Sequence, residues 1–154
     1  MNTKKRFYLI AIVIIAAIFL SACSDRYPID RADFIAAMEE EGFEILDVSN
    51  DVDFADYVII AFSPNDDYQI EFYEFATDED ARRSFNGTRQ LIEDGSGSSQ
   101  TTSSVAVANY NRFTITSGGR YAHLYRVGNT MILVDWTDSE HRDEIRDLLD
   151  DFEN

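Results

Sequence analysis

The chain has 154 residues, a net charge of −16 and one cysteine, and 13% of its residues are aromatic. Its length allows one domain with a substantial core but not two, and its aromatic content argues against disorder. The acidic balance makes nucleic acid an implausible partner, because phosphate contacts need clustered Lys and Arg. A single cysteine excludes a disulfide within the chain, so a hydrophobic core must hold the fold.

The N-terminal stretch has the parts of a secretory signal. Three basic residues at positions 4–6 precede an apolar run over residues 7–22, and Cys23 follows directly after Leu-Ser-Ala. This tetrad resembles the lipobox of bacterial lipoproteins, in which the cysteine is acylated on its sulfur and becomes the first residue of the mature chain. The sequence therefore predicts a signal peptide over residues 1–22, cleavage between Ala22 and Cys23, and a lipid on Cys23.

Two other interpretations of this stretch compete with lipidation. A retained membrane helix is disfavoured, because the apolar run has 16 residues and a spanning helix needs about 20. An ordinary secretory signal would also suit the small residues Ser21 and Ala22. The position of the one cysteine of the chain, immediately after these residues, favours lipidation over both alternatives.

The mature chain is even more acidic than the precursor. Without residues 1–22 it keeps ten basic residues, all of them arginines, against 29 acidic ones, which gives a net charge of −19. An anionic lipid surface would repel such a domain. We therefore expect residues 23–29 to form a short lipidated tether, with Cys23 as the attachment to the outer face of the cell membrane.

Residues 30–154 have the pattern of a single α+β domain. Asp30 is typical of a helix N-cap, Thr77 with Asp80 begins a second helix, and Thr137 with Glu140 begins a third. Apolar and alternating segments between the helices predict strands. The predicted strands cover residues 43–48, 57–62, 68–76, 105–108, 112–117, 120–127 and 131–136.

This order, α-βββ-α-βββ(β)-α, predicts an antiparallel sheet of about six strands with three helices on one of its faces. Residues 95–104 are rich in Gly, Ser and Thr, and we expect them to form a mobile loop. Two similar α-β-β-β units can be drawn from the pattern. Whether they are a true repeat stays open at this stage.

Few residues carry a signal for chemistry. His123 lies in a predicted strand and His141 at the start of the last helix, and we interpret His123 as structural or superficial. The sequence holds no metal-ligand spacing and no nucleophile motif, so we predict no metal site, no cofactor and no catalytic residues. Acidic residues crowd the connection over residues 47–56, where a loose calcium site is an open alternative to a solvated loop.

Tyrosines and arginines of the predicted strands indicate an exposed recognition surface if the helices leave one sheet face open. This combination is typical of protein interfaces. The alternative is cross-strand aromatic pairing that only stabilises the sheet. The candidate partner surface consists of Tyr68, Tyr121, Tyr125, Arg112, Arg120 and Arg126.

Three stretches carry a family resemblance: residues 33–44, the strand-like segment 68–75, and residues 127–132 with the sequence Val-Gly-Asn-Thr-Met-Ile. On these stretches the chain resembles a family of small lipoproteins of Firmicutes, from whose Lys-rich members it departs by the absence of lysine after residue 5. The resemblance implies an extracytoplasmic domain at the outer face of the cytoplasmic membrane. It implies no activity.

Together these observations predict a lipid-anchored extracytoplasmic lipoprotein. We expect its domain to be a non-catalytic binding module of the cell envelope, with an envelope protein as partner. One alternative is a hydrolase that acts on envelope glycan or cell wall through acidic residues. Another is a purely structural or protective surface lipoprotein.

Overall fold

The computed structural model describes residues 26–97, 99–107 and 109–153. The predicted signal peptide, the cleavage position Ala22 and the lipidation site Cys23 lie outside the described residues. The fold is a mixed α+β structure with one antiparallel sheet and three helices. This confirms the predicted class, with seven strands in place of about six.

The three helices are α1 (Arg31–Glu40), α2 (Asp78–Asp94) and α3 (Arg142–Glu153). Short 3-10 turns follow β1 and precede α3, at Ser49–Asp51 and Ser139–His141. The seven strands are β1 (Glu44–Asp47), β2 (Tyr57–Phe62), β3 (Gln69–Glu74), β4 (Gln100–Val107), β5 (Tyr110–Ser117), β6 (Arg120–Val127) and β7 (Thr130–Asp138).

The sheet joins two antiparallel meanders through their last strands. Its strand order is β1-β2-β3-β7-β6-β5-β4, so β3 pairs with β7 in the middle and β1 and β4 form the edges. A twofold rotation that exchanges two neighbouring antiparallel strands has its axis perpendicular to the sheet. Such a rotation leaves each face of the sheet on its own side. The helices that precede the two meanders, α1 and α2, nevertheless lie on opposite faces. The two α-β-β-β units are therefore not related by that rotation.

Helices cover both faces of the sheet. On the first face, Phe34 and Met38 of α1 share a buried cluster with Ile145 and Leu149 of α3. On the second face, the apolar side of α2 packs over a separate cluster around Phe113. The prediction that all helices lie on one face is therefore wrong, because the apolar side of α2 packs against the opposite face of the sheet from α1 and α3.

The segment predicted as a mobile loop is partly a strand. Gln100 to Ser104 belong to β4, which pairs with β5 along its whole length, from Gln100 opposite Ser117 to Val107 opposite Tyr110. Ser and Thr side chains at the edge of a sheet need little packing. A segment with the composition of a loop can therefore still form a strand that pairs with its neighbour.

The chain just before α1 is docked on the domain and does not hang free. The backbone N–H of Arg26 donates to the side chain of Asn109 at 3.1 Å, and the Arg26 guanidinium lies 4.1 Å from the centre of the Tyr110 ring. Ile29 is buried, and its N–H donates to Thr130. The predicted tether of residues 23–29 is therefore held against the sheet from residue 26 onward.

Candidate functional site

A polar groove lies on the first face of the sheet, between α3 and the strand pair β4–β5. The buried contacts of α3 reach as far as β6, where Tyr121 and Tyr125 belong to the same cluster as Ile145 and Leu149. Beyond β6 the first face opens into the groove, which residues of β4, β5, β6 and α3 line and which has a volume of about 480 Å³. This volume is within the range of about 300–1,000 Å³ of small-molecule sites.

The sheet side of the groove is lined with hydroxyl groups. Thr114 of β5 stands opposite Ser103 of β4, and Thr116 stands opposite Thr101. Because side chains on one face alternate along a strand, these four hydroxyls form two cross-strand pairs. The helix side carries five charged side chains of α3. They are Arg142, Arg146, Asp147, Asp150 and Glu153.

A buried contact between a histidine and a carboxylate joins the two sides of the groove. His123 of β6 and Glu153 of α3 are 2% and 7% exposed, and His123 Nε2 lies 2.5 Å from Glu153 Oε1. Neither of these two atoms has a hydrogen bond to any other group in the described part of the chain. Each therefore depends on the other for compensation of its burial.

Tyr121 and Arg112 extend this pair into a chain of contacts. The Tyr121 hydroxyl lies 2.9 Å from His123 Nδ1, and Arg112 donates to Glu153 Oε2 at 2.8 Å. When the tyrosine hydroxyl donates to Nδ1, the imidazole proton is on Nε2 and faces the carboxylate. A bulge in the pairing of β6 with β7, between Tyr121 and His123, adjusts the strand at this point.

Electrostatics keep Glu153 ionised. Burial by itself raises the pKa of Glu153, but the contact with His123 and that with Arg112 together outweigh it, so the net pKa of this carboxyl is lowered. The hydrogen bond to Glu153 in turn raises the pKa of Arg112. Burial, followed by the charge of Glu153, raises the pKa of Tyr121 to about 12. The groove thus contains a fixed carboxylate, a guanidinium that faces it and a neutral phenol.

The six residues of the predicted partner surface do not form one surface. Tyr121 and Arg112 belong to the groove, but Tyr121 is 2% exposed. Tyr125 is also buried, under the Arg26 guanidinium, and Tyr68 is buried with its hydroxyl donating to Glu144. The expected exposure of these tyrosines is therefore wrong, because α1 and α3 cover the sheet face on which they stand.

The two remaining arginines lie elsewhere. Arg126 is 2% exposed and points to the second face, where it donates to Asp78, Asn111 and the carbonyl of Gly128. Its expected exposure is also wrong, since it fixes the start of α2. Arg120 is exposed at the start of β6 and lies over the Trp136 ring.

Sequence reasoning missed the pairing of His123 with Glu153. A histidine at an inward position of an apolar strand is a weak signal, and the interpretation of His123 as structural or superficial rested on it. Glu153 carried a second signal, because it follows Leu149 by four residues and so lies on the buried side of α3. No spacing rule connects the two, because the sheet brings β6 and α3 together.

No group of three or more His, Cys, Asp or Glu side chains among residues 26–97, 99–107 and 109–153 could hold a metal ion. In the same described part of the chain, no helix is long and apolar enough to cross a membrane.

Comparisons of this chain with protein-family profiles, with curated proteins and with solved structures give no match.

Proposed function

We propose that this chain is a lipid-anchored extracytoplasmic lipoprotein whose domain is a non-catalytic binding module of the cell envelope, with the groove between α3 and β4–β5 as its binding site. The observation that carries the binding function is the buried pair of His123 and Glu153, 2.5 Å apart at the base of an otherwise open polar groove. A binding site gains from such a pair, because it holds the neighbouring Arg112 in place before a ligand arrives.

The state of Glu153 supports a binding role over hydrolysis. A hydrolase of glycan needs one carboxyl group that stays protonated to act as general acid, and its pKa must be raised. Glu153 has a lowered pKa, and both of its oxygens are engaged, one by His123 and the other by Arg112. Its chemistry is that of a fixed acceptor and counter-ion.

The docked segment supports a close membrane association for a chain lipidated at Cys23. Only Ser24 and Asp25 stand between Cys23 and Arg26, whose main chain is held by Asn109. Three residue steps span at most about 11 Å. The domain would then stay within that distance of the bilayer at the end of the sheet where Asn109 and Gly128 lie.

The anchor is tested with the full-length chain in a bacterial host that processes lipoproteins. Wild-type protein and a Cys23→Ala variant are fractionated, washed with carbonate and labelled with an alkyne analogue of palmitate. We expect the label and the membrane retention in wild type and neither in Cys23→Ala. Retention of Cys23→Ala after the wash would contradict lipid anchoring and would favour a retained membrane helix.

The binding site is tested by photocrosslinking in intact cells. A benzoylphenylalanine is placed at Ser103, which faces the groove, or at Ser104, its neighbour on the opposite face of β4. We expect crosslinked species from position 103 that are absent at position 104 and are reduced in the secreted Cys23→Ala background. No groove-specific species would contradict the binding role and would favour a structural lipoprotein.

A further inference from the structure

We infer that the groove takes a neutral, polyhydroxylated ligand, that is, a saccharide. This inference rests on the proposed binding role of the groove and adds the chemical class of its ligand. Three properties of the groove lead to it: its balance of charge, its hydroxyl-rich floor and its lack of apolar lining.

Charges in the groove are balanced although the chain is strongly acidic. Three arginines, Arg112, Arg142 and Arg146, face three carboxylates, Asp147, Asp150 and Glu153. The whole chain has a net charge of −16. The field of the domain would repel an anion, and the balanced side chains of the groove give a cation no net attraction there. Because these charges select for neither sign, a ligand without net charge fits the groove best.

The floor of the groove matches the hydrogen bonding of vicinal hydroxyls. The pairs Ser103–Thr114 and Thr101–Thr116 place side chains about 5 Å apart across the strands and about 7 Å apart along them. Each hydroxyl both donates and accepts a hydrogen bond, as sugar hydroxyls do. Across the groove, guanidinium groups only donate and carboxylates only accept, so the two sides together can satisfy a diol in either sense.

An apolar ligand does not fit this groove. Among the described residues that line it there is no aliphatic side chain beyond threonine methyl groups, and its one aromatic residue, Tyr121, is 2% exposed. Small-molecule sites for apolar compounds are lined mainly by hydrophobic and aromatic side chains. Binding would therefore rest on hydrogen bonds, each of which is worth little against water. We expect dissociation constants of about 1 mM for a disaccharide.

The test uses the full-length chain, purified in detergent micelles, and saturation-transfer difference NMR. The neutral probes are N,N′-diacetylchitobiose and maltose. Glucuronic acid is the anionic probe, and trialanine is the zwitterionic peptide probe. We expect saturation transfer to at least one neutral sugar and weaker transfer to glucuronic acid and trialanine.

Adjacent serines of β4 supply the matched variants. Ser103→Ala removes a groove hydroxyl, and Ser104→Ala removes a hydroxyl on the other face of the same strand. Thr114→Val removes the partner hydroxyl and keeps the β-branched shape. We expect Ser103→Ala and Thr114→Val each to weaken sugar binding about two- to tenfold, and Ser104→Ala to leave it unchanged.

The results separate this inference from the proposed function. Transfer to glucuronic acid or trialanine without transfer to either neutral sugar overturns the ligand class, and groove-specific crosslinks at position 103 would then still support a binding module. Equal losses in Ser103→Ala and Ser104→Ala overturn the assignment of the sugar to the groove. No transfer to any probe overturns the ligand class as well, and only a simultaneous absence of groove-specific crosslinks contradicts the binding role itself.

Discussion

The buried pair of His123 and Glu153 makes a sharp prediction about stability. In His123→Phe the ring volume is roughly kept, so no large cavity forms, but Glu153 Oε1 loses the only group it contacts as a partner in the described part of the chain. Arg112 still holds the other oxygen at 2.8 Å. The substitution therefore deprives one of the two oxygens of a buried carboxylate of its partner.

The structure sets the size of the effect. A buried acceptor that loses its hydrogen-bond partner costs about 1–3 kcal/mol, and more when the acceptor is charged. Here Arg112 remains, its side chain is 43% exposed, and Glu153 lies in the last turn of α3, which can open to water. We therefore expect His123→Phe to lower the free energy of unfolding by about 1–3 kcal/mol at pH 7.

The effect must depend on pH in one direction. The pKa of Glu153 is lowered in the folded protein, so its contribution to stability is present above the unfolded pKa of about 4.3 and is lost as the pH falls through the folded pKa. Without His123 the folded pKa rises. The difference between wild type and His123→Phe is therefore largest at pH 7 and shrinks towards pH 3.

Urea unfolding followed by the fluorescence of Trp136, the one tryptophan of the chain, measures these differences. His141→Phe is the matched control, because His141 is more exposed and lies 3.6 Å from the largely exposed Glu144. We expect the control to cost less than about 1 kcal/mol. If His123→Phe costs no more than His141→Phe, or if the difference does not shrink at pH 3, the buried pair does not stabilise the fold as argued.

Three further predictions concern the frame around the groove. Arg126→Met should cost about 1–3 kcal/mol in urea unfolding, because the 2% exposed Arg126 donates to Asn111 and to the carbonyl of Gly128 as well as to Asp78, whereas Arg120→Met at an exposed position should cost less than about 0.5 kcal/mol. Gly128→Ala should destabilise more than Gly118→Ala: both have positive φ, but only at Gly128 would the new Cβ meet a proline side chain, at 2.7 Å. In an alkaline titration followed at 295 nm, Tyr121 should ionise only near pH 12, because burial raises its pKa; stability should accordingly fall as the pH rises above about 10, where unfolded tyrosine ionises.

Local signals predicted the starts of α1 and α2 well, but the predicted start of α3 at Thr137 is wrong, because Thr137 lies in β7 and Asp138 accepts from the N–H of Glu140. Asp30 accepts from the N–H groups of Ala32 and Asp33, and Thr77 accepts from that of Asp80, as their positions before apolar periodic segments indicated. Such caps depend on neighbouring residues, so the sequence is enough to place them. Which sheet face a helix covers depends on the path of the chain over many residues, and the prediction of a single covered face failed there.

Local sequence signals could not predict the candidate site either, because it also depends on the path of the chain over many residues. Tyr121 and Arg112 were singled out as exposed recognition residues, but their role in the groove depends on Glu153, which the fold brings to β5 from the last helix. The sequence predicted a strand over residues 105–108 but assigned the first half of β4, Gln100–Ser104, to a loop, because hydroxyl side chains suit a loop as well as an edge strand. Thr101 and Ser103 of that half line the groove, so the error in secondary structure also concealed the site.

The position of β4 at the edge of the sheet gives a structural reason for the net negative charge of the chain. Gln100–Val107 is a long edge strand without charge or proline, and seven of its eight residues are exposed. Edges of this kind pair with other chains unless something prevents it. Charged side chains on β4 would protect the edge, but they would also upset the balance of charge in the groove. Net negative charge spread over the rest of the domain keeps copies apart and leaves the hydroxyl floor uncharged.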